Sequence, residues 1–296
     1  MCHCSESSVV FVESGVEILR CAGCKHIYSS YAGDQNYSEY FQREITDQER
    51  FWLDTGHLRM FRAFGDRFMA GRSGKVLDVG AGLGYFVRFA EGYSGWEAFG
   101  YEISPPAVEY ARNELGLKHM YAGRVEDSGF PLASFELITL WDVIEHIPNP
   151  DQFLRYLHSL LKPRGIFFLA TPNGPAQLWK ARAKKTLIGM REGSHYLMPR
   201  DHINLYTPHA LDRVLKRVGF RTVKFMHLPP IQSVSGSRSR IGLLAKNAWF
   251  RSAQALYAAT GSRANINNNL YALATTSVEY SGVSSQGTRF KARCKK

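Results

Sequence analysis

The sequence predicts an α/β fold, a doubly wound and mostly parallel sheet with small additions, on three observations. Short apolar strands alternate with amphipathic helices over 75–79, 85–92, 97–102, 105–115, 119–121, 136–141, 150–161 and 165–170, the pattern of βα units. The first strand runs into a glycine turn, Gly80-Ala81-Gly82-Leu83-Gly84, and a helix opens behind it with Phe86, Val87, Phe89 and Ala90. The next strand ends on a carboxylate, Glu102. Pro105-Pro106 suits the first turn of one helix and Asn149-Pro150-Asp151 the start of another, which Lys162-Pro163-Arg164-Gly165 ends.

In such sheets ligands sit beyond the carboxyl ends of the strands, where Gly80, Glu102 and Trp141 fall. Glycines at 80, 82 and 84 allow a tight turn and the approach of a ligand to bare backbone, with the amides opening the next helix aimed at it. An acidic residue about 20 positions beyond such a turn can accept both hydroxyls of a ribose, so a nucleoside is expected. The turn reads GxGxG rather than GxGxxG, and Asp78 lies two positions before it. A carboxylate there would repel a pyrophosphate and suits the ammonium of a methionine moiety.

These residues resemble a family. Leu77-Asp78-Val79-Gly80-Ala81-Gly82-Leu83-Gly84 resembles motif I of class I S-adenosylmethionine-dependent methyltransferases, and Tyr101-Glu102 is similar to their ribose-binding acidic position. The stretch 135–147 resembles strand four of the branch that includes the ubiquinone-biosynthesis O-methyltransferases, and 160–168 the following helix end and strand. The resemblance covers residues 73–228, with a last strand near 270–278, and implies the Rossmann-like fold, S-adenosylmethionine as cofactor and methyl transfer. By position in that family, Val125, Glu126 and Asp127 should line the adenine; relatives often carry an acid where Arg124 stands, which leaves Glu126 and Asp127 as alternatives, and a solvated loop as the plain one.

The 296 residues can bury a full core. No apolar run is long enough to span a bilayer, and the start Met1-Cys2-His3-Cys4 lacks the layout of a signal peptide, so a cytoplasmic location is expected. Charge is asymmetric: residues 1–174 hold 16 Lys and Arg against 22 Asp and Glu, residues 175–296 hold 21 against 4. An anionic partner (an anionic or lipid-like small molecule, a nucleic acid, or an anionic membrane surface) and simple solubility are both compatible with that. The strand-four segment Leu140-Trp141-Asp142-Val143 lacks the motif expected for amino methylation of bases, which argues against a nucleic-acid substrate.

The organisation expected is a cysteine-rich segment at 1–30, a helical lid at 31–72, a methyltransferase domain at 73–280 with cap insertions at 174–207 and 229–268, and a basic disordered tail at 281–296. Cys2, Cys4, Cys21 and Cys24 flank a hairpin, the layout of a zinc ribbon, although the first pair is CxC and free thiols are the alternative; Cys294 reads as a free thiol. In the lid, aromatics from Tyr37 to Phe68 recur at helical spacing and either pack on the sheet or cover the cleft, with His57 or Arg59 as its polar groups. A basic helix is expected over 176–185, and 238–259, without an acidic residue, is either a cap or a membrane-surface helix.

Methyl transfer to oxygen needs alignment and a base. His146 is the first candidate and His202 the second. In the related O-methyltransferases a similar acidic-x-x-Glu-His set is associated with a divalent cation, so Asp142, Glu145 and His146 are candidates for Mg²⁺; helix capping by Glu145 and His146 is the plain alternative. A non-catalytic binding protein would not need the intact Gly80, Gly82, Gly84 and Glu102.

Overall fold

The computed structural model describes residues 4–33, 36–39, 41, 46, 50, 55–189, 196–231, 240–261 and 264–276. Cys2, Cys294 and the tail 281–296 lie outside the described residues. The chain runs β1 (Ser7–Glu13), β2 (Val16–Cys21), β3 (Ile27–Ser29), α1 (His57–Phe68), β4 (Gly74–Val79), α2 (Tyr85–Glu91), β5 (Trp96–Glu102), α3 (Pro105–Asn113) and β6 (Met120–Ala122). It continues with β7 (Phe135–Trp141), α4 (Pro150–Leu160), β8 (Leu161–Pro172), α5 (Gly174–Ile188), β9 (Asn204–Leu205), α6 (Pro208–Arg217), β10 (Thr222–Met226), α7 (Arg240–Ala259) and β11 (Asn269–Thr275).

The large sheet has seven strands in the order β10-β11-β8-β7-β4-β5-β6. β8, β7, β4, β5 and β6 are parallel, and β11 is antiparallel to both β8 and β10. The strand order reverses at β4, so the carboxyl ends of β4, β5 and β7 face one crevice, the place where such sheets take ligands. Two apolar layers cover the sheet. One gathers Leu77, Ile138, Leu140, Leu157, Phe167, Leu211 and Val214 beneath α4 and α6. The other gathers Phe64, Phe68, Val76, Phe86, Val87 and Phe168 beneath α1 and α2. Both faces being covered is why β4, β7 and β8 read as continuous apolar runs.

The N-terminal hairpin forms as expected but does not stand apart. β1, β2, β3 and β9 make a second sheet in that order, with Ile27 paired to Leu205 and Tyr28 to Asn204. Phe11, Ile18 and Ile27 bury against Leu178 and Ala181 of α5 and against Leu197 and Leu205. Residues 4–30 and the insertion 174–207 therefore share one small core. α7 lies over α5, the end of β10 and α1: Trp179 stacks with Trp249 (centroids 6.4 Å apart), Tyr257 Oη donates to Phe225 O (3.4 Å), and Arg59 donates to Asn247 Oδ1 (3.0 Å). No helix among the described residues is long and apolar enough to cross a membrane.

Candidate active site

The glycine turn is fixed by its neighbours. Gly80, Gly82 and Gly84 all have positive φ, at 71°, 52° and 82°. A Cβ on Gly80 would overlap Val143, and one on Gly84 would lie 2.7 Å from Leu117 Cδ1 and 3.0 Å from Ala111 Cβ. Among the described residues, a Cβ on Gly82 would meet Phe41, at 3.7 Å. Gly80 and Gly84 are therefore demanded by packing as well as by φ, and Gly82 by its positive φ. The amides of Gly80 and Ala81 donate to Tyr101 O (2.8 and 3.1 Å), so the turn is tied to the end of β5.

Glu102 completes that tie. Gly82 N–H donates to its Oε2 (2.8 Å) and Ser104 N–H to its Oε1 (2.9 Å). The Gly82 amide is thus turned toward a carboxylate in the fold itself. Burial pushes Glu102 upward from the ordinary carboxylate range, and the amides of Ser104, Gly82 and Ile103 oppose that push. Asp78, inside β4, accepts from Thr139 Oγ1 (2.7 Å). Burial raises its pKa to about 8; Thr139 opposes the shift and the Glu102 charge adds to it. Two buried carboxylates at strand ends, each short of compensating charge, form a niche for a cation that also carries hydrogen-bonding hydroxyls. That niche, with the bare backbone at Gly82, fits the ammonium, sulfonium and ribose of S-adenosylmethionine.

At the far side of the cleft the short turn Val125–Asp127 follows β6; Val125 is buried, Glu126 pairs with Arg124 (3.1 Å) and Asp127 is exposed. Trp141, at the end of β7, is half-buried. Its ring packs against Phe61, Phe64, Phe86 and Phe168 at centroid distances of 5.2, 5.4, 5.2 and 4.5 Å. Its Nε1 is buried without a hydrogen-bond partner among the described residues.

Past β7 the chain turns at Asp142 (φ 52°) into the short helical turn Ile144–His146. Glu145 is fully buried; Thr171 Oγ1 donates to its Oε2 (2.9 Å), while Oε1 has no partner among the described residues. Burial, then the Asp142 charge, holds its carboxyl well above the ordinary range, and burial pushes Asp142 up to about 6. His146 Nδ1 donates to Asp201 O (2.9 Å) and lies 2.9 Å from Tyr37 Oη, which itself donates to Asp201 O (3.1 Å). The carbonyl can only accept, so it fixes the tautomer: Nδ1 carries the proton and Nε2 is the acceptor. Burial lowers the His146 pKa, which keeps the ring neutral.

Among the described residues the three ligand side chains that converge, within 4.8 Å of one another, are Glu145, His146 and His202; Asp142 is not one of them. Asp142 takes a left-handed backbone (φ 52°), and the loop after Met198 brings His202 in from 56 positions along the chain, with its ring 5.0 Å from that of His146. Burial, and then the neighbouring His146, lowers the His202 pKa to about 4. Tyr37 is the residue that sequence reasoning passed over, as one aromatic among many in the lid. His57 packs its ring on Phe61 (5.5 Å). At the hairpin, Ala22 N–H donates to Glu6 O (2.9 Å), which sets the two cysteine arms side by side; the sulfurs of Cys4, Cys21 and Cys24 do not form a ligand group among the described residues.

A family profile described as a methyltransferase domain matches residues 48–224. A ubiquinone biosynthesis O-methyltransferase from Azoarcus sp. strain BH72 is 30% identical over 207 residues, covering 64% of this chain and 78% of that protein. One from Bordetella avium is 27% identical over 187 residues, covering 58% and 74%. The solved Haemonchus contortus phosphoethanolamine N-methyltransferase 2 with S-adenosyl-L-methionine superposes at a TM-score of 0.54 with 17% identity, over 84% of this chain and 62% of that one, a likeness of fold. The profile runs through the glycine turn, Glu102 and the Glu145-His146 turn, over more than half of the sequence, and so the chain belongs to the methyltransferase-domain family and is an S-adenosylmethionine-dependent methyltransferase.

Proposed function

We propose that the protein methylates an oxygen, in the first place a phenolic hydroxyl, of a small aromatic acceptor, with His146 as the base. The observation that carries this is the bond from His146 Nδ1 to Asp201 O, because it leaves Nε2 unprotonated on a buried, neutral ring. S-adenosylmethionine supplies an electrophilic methyl on a positively charged sulfur. Asp78 and Glu102 face that charge and the ribose, the Gly82 backbone lets the cofactor close in, and Val125 with Glu126 or Asp127 borders the adenine. Trp141 walls the methyl end, and Phe61 and Phe64 hold it there. His146 Nε2 would take the proton of an acceptor hydroxyl, and the bound cofactor would supply the methyl to that oxygen from its sulfur. The names of the relatives support an oxygen acceptor. Labelled methyl transfer from S-adenosylmethionine to catechols, prenylated phenols and phosphorylated sugars tests the reading; product only from amines or only from sugars overturns it.

A second reading is favoured by the convergence of Glu145, His146 and His202. Two imidazoles and one carboxylate with open positions suit Mn²⁺, Fe²⁺ or Zn²⁺ better than Mg²⁺, which prefers an all-oxygen shell. Such an ion would orient a catechol-like acceptor, and activity lost to EDTA and restored by Mn²⁺ supports it. For the cysteines we propose one zinc ion at Cys2, Cys4, Cys21 and Cys24, on the support of the adjoining arms at Glu6 and Ala22. Metal-free protein after anaerobic purification overturns that. For the basic half we propose contact with an anionic bilayer: Trp179, Leu187 and Leu244 are 61%, 82% and 68% exposed on helices α5 and α7 that carry Arg and Lys and no acidic residue. Binding to phosphatidylglycerol vesicles that salt abolishes, and none to phosphatidylcholine, is the expected result.

A further inference from the structure

Glu13 closes β1 and is 1% exposed. A lone carboxylate at such depth is costly unless it is fully hydrogen-bonded. Its partners are three consecutive backbone amides more than 180 positions away: Tyr196 N–H to Oε1 (3.0 Å), Leu197 N–H to Oε2 (2.9 Å) and Met198 N–H to Oε1 (3.2 Å). Successive amides wrapped round an anion form a nest, and the left-handed φ of Met198 (54°) fits that geometry. Met198 then turns the chain, its carbonyl accepting from Asp201 N–H (2.9 Å) and His202 N–H (2.8 Å). The carbonyl of Asp201 in turn holds His146 Nδ1 and Tyr37 Oη. An unbroken series of short bonds thus joins the N-terminal hairpin to the imidazole.

We propose that Glu13 is a positioning residue for the methyl-transfer base: it fixes the 196–202 loop, whose Asp201 carbonyl sets the tautomer and direction of His146. The proposal rests on the reading of His146 as the base. It gives the N-terminal segment a role in catalysis that does not depend on metal. The charge matters as well as the shape, because three N–H donors converge on one carboxylate and charge-assisted bonds are about twice as strong as neutral ones.

The test uses the full chain and four variants: Glu13→Ala, Glu13→Gln, His146→Ala, and Glu13→Ala with His146→Ala. A displaced base costs rate and not cofactor binding, so Glu13→Ala should lower kcat about 10–100-fold and leave the S-adenosylmethionine Kd within about twofold. Glu13→Gln keeps acceptor oxygen and introduces an amide among the donors, so its loss should be intermediate; it carries the same test if Glu13→Ala does not fold. The double variant should be no slower than His146→Ala alone, because the Glu13 effect passes through that ring. A slow His146→Ala with a wild-type kcat in both Glu13 variants overturns the proposal and leaves the base reading standing. Fully additive losses in the double variant also overturn it. His146→Ala at full rate removes the base reading and this proposal together.

Discussion

Asp78 makes cofactor affinity depend on pH. Its carboxyl titrates at about 8 in the ligand-free protein, chiefly because burial disfavours the charge and then because Glu102 lies nearby. A cationic ligand needs the ionised form. Both pH 6 and pH 7 lie below that value, so the ionised fraction grows with pH and the apparent Kd should fall by up to about tenfold from pH 6 to pH 7. The ligand's own α-amino group, with a pKa of about 8, stays protonated over that interval. Calorimetry at the two pH values, in buffers of different ionisation enthalpy, should show the affinity change and release of about one proton per cofactor bound at the lower pH. Asp78→Asn should bind more weakly at pH 8 and show no slope between 6 and 7. A slope unchanged in Asp78→Asn would refute the assignment. For the empty protein the sign runs the other way: the raised pKa contributes stability that is present below the unfolded value of 3.8 and is lost as pH rises through about 8.

Gly84 and Gly82 should separate by phenotype. Gly84→Ala should destabilise by about 1–3 kcal/mol, through overpacking against Leu117 and Ala111, read as a lower melting temperature. Gly82→Ala should cost the left-handed backbone, about 1 kcal/mol, and, if the cofactor closes on that backbone as proposed, weaken S-adenosylmethionine as well. Glu102→Ala removes the acceptor of Gly82 and Ser104 as well as the ribose contact proposed for it, so cofactor affinity should fall by about 1–3 kcal/mol, measured by calorimetry.

The sheet was legible because each strand from β4 to β8 is an apolar run closed by a glycine, a proline or an acid, and local pattern suffices for that. Asp78, Gly80 and Glu102 were legible for the same reason: the turn and the next strand end lie within 25 positions of one another. What escaped the sequence was long-range. β9 is two residues long and exists only because β3 offers an edge to Asn204 and Leu205. His202 joins Glu145 and His146 through a loop whose path is set by Met198 and Glu13, and no periodicity records that. The acidic-x-x-Glu-His string places Asp142 beside Glu145 and His146 in sequence, and among the described residues the side chain that joins those two is His202. Tyr37 was hidden by company: its phenol matters, yet its neighbours are aromatic for packing.

The central claim, that this methyltransferase draws the acceptor proton to His146, is met most directly by single-turnover methyl transfer in His146→Ala with cofactor and acceptor saturating. The expected result is a loss of about 10²–10⁴ in rate with the S-adenosylmethionine Kd unchanged. A His146→Ala protein that transfers the methyl at the unmodified rate would contradict the account and shift the role of base to His202.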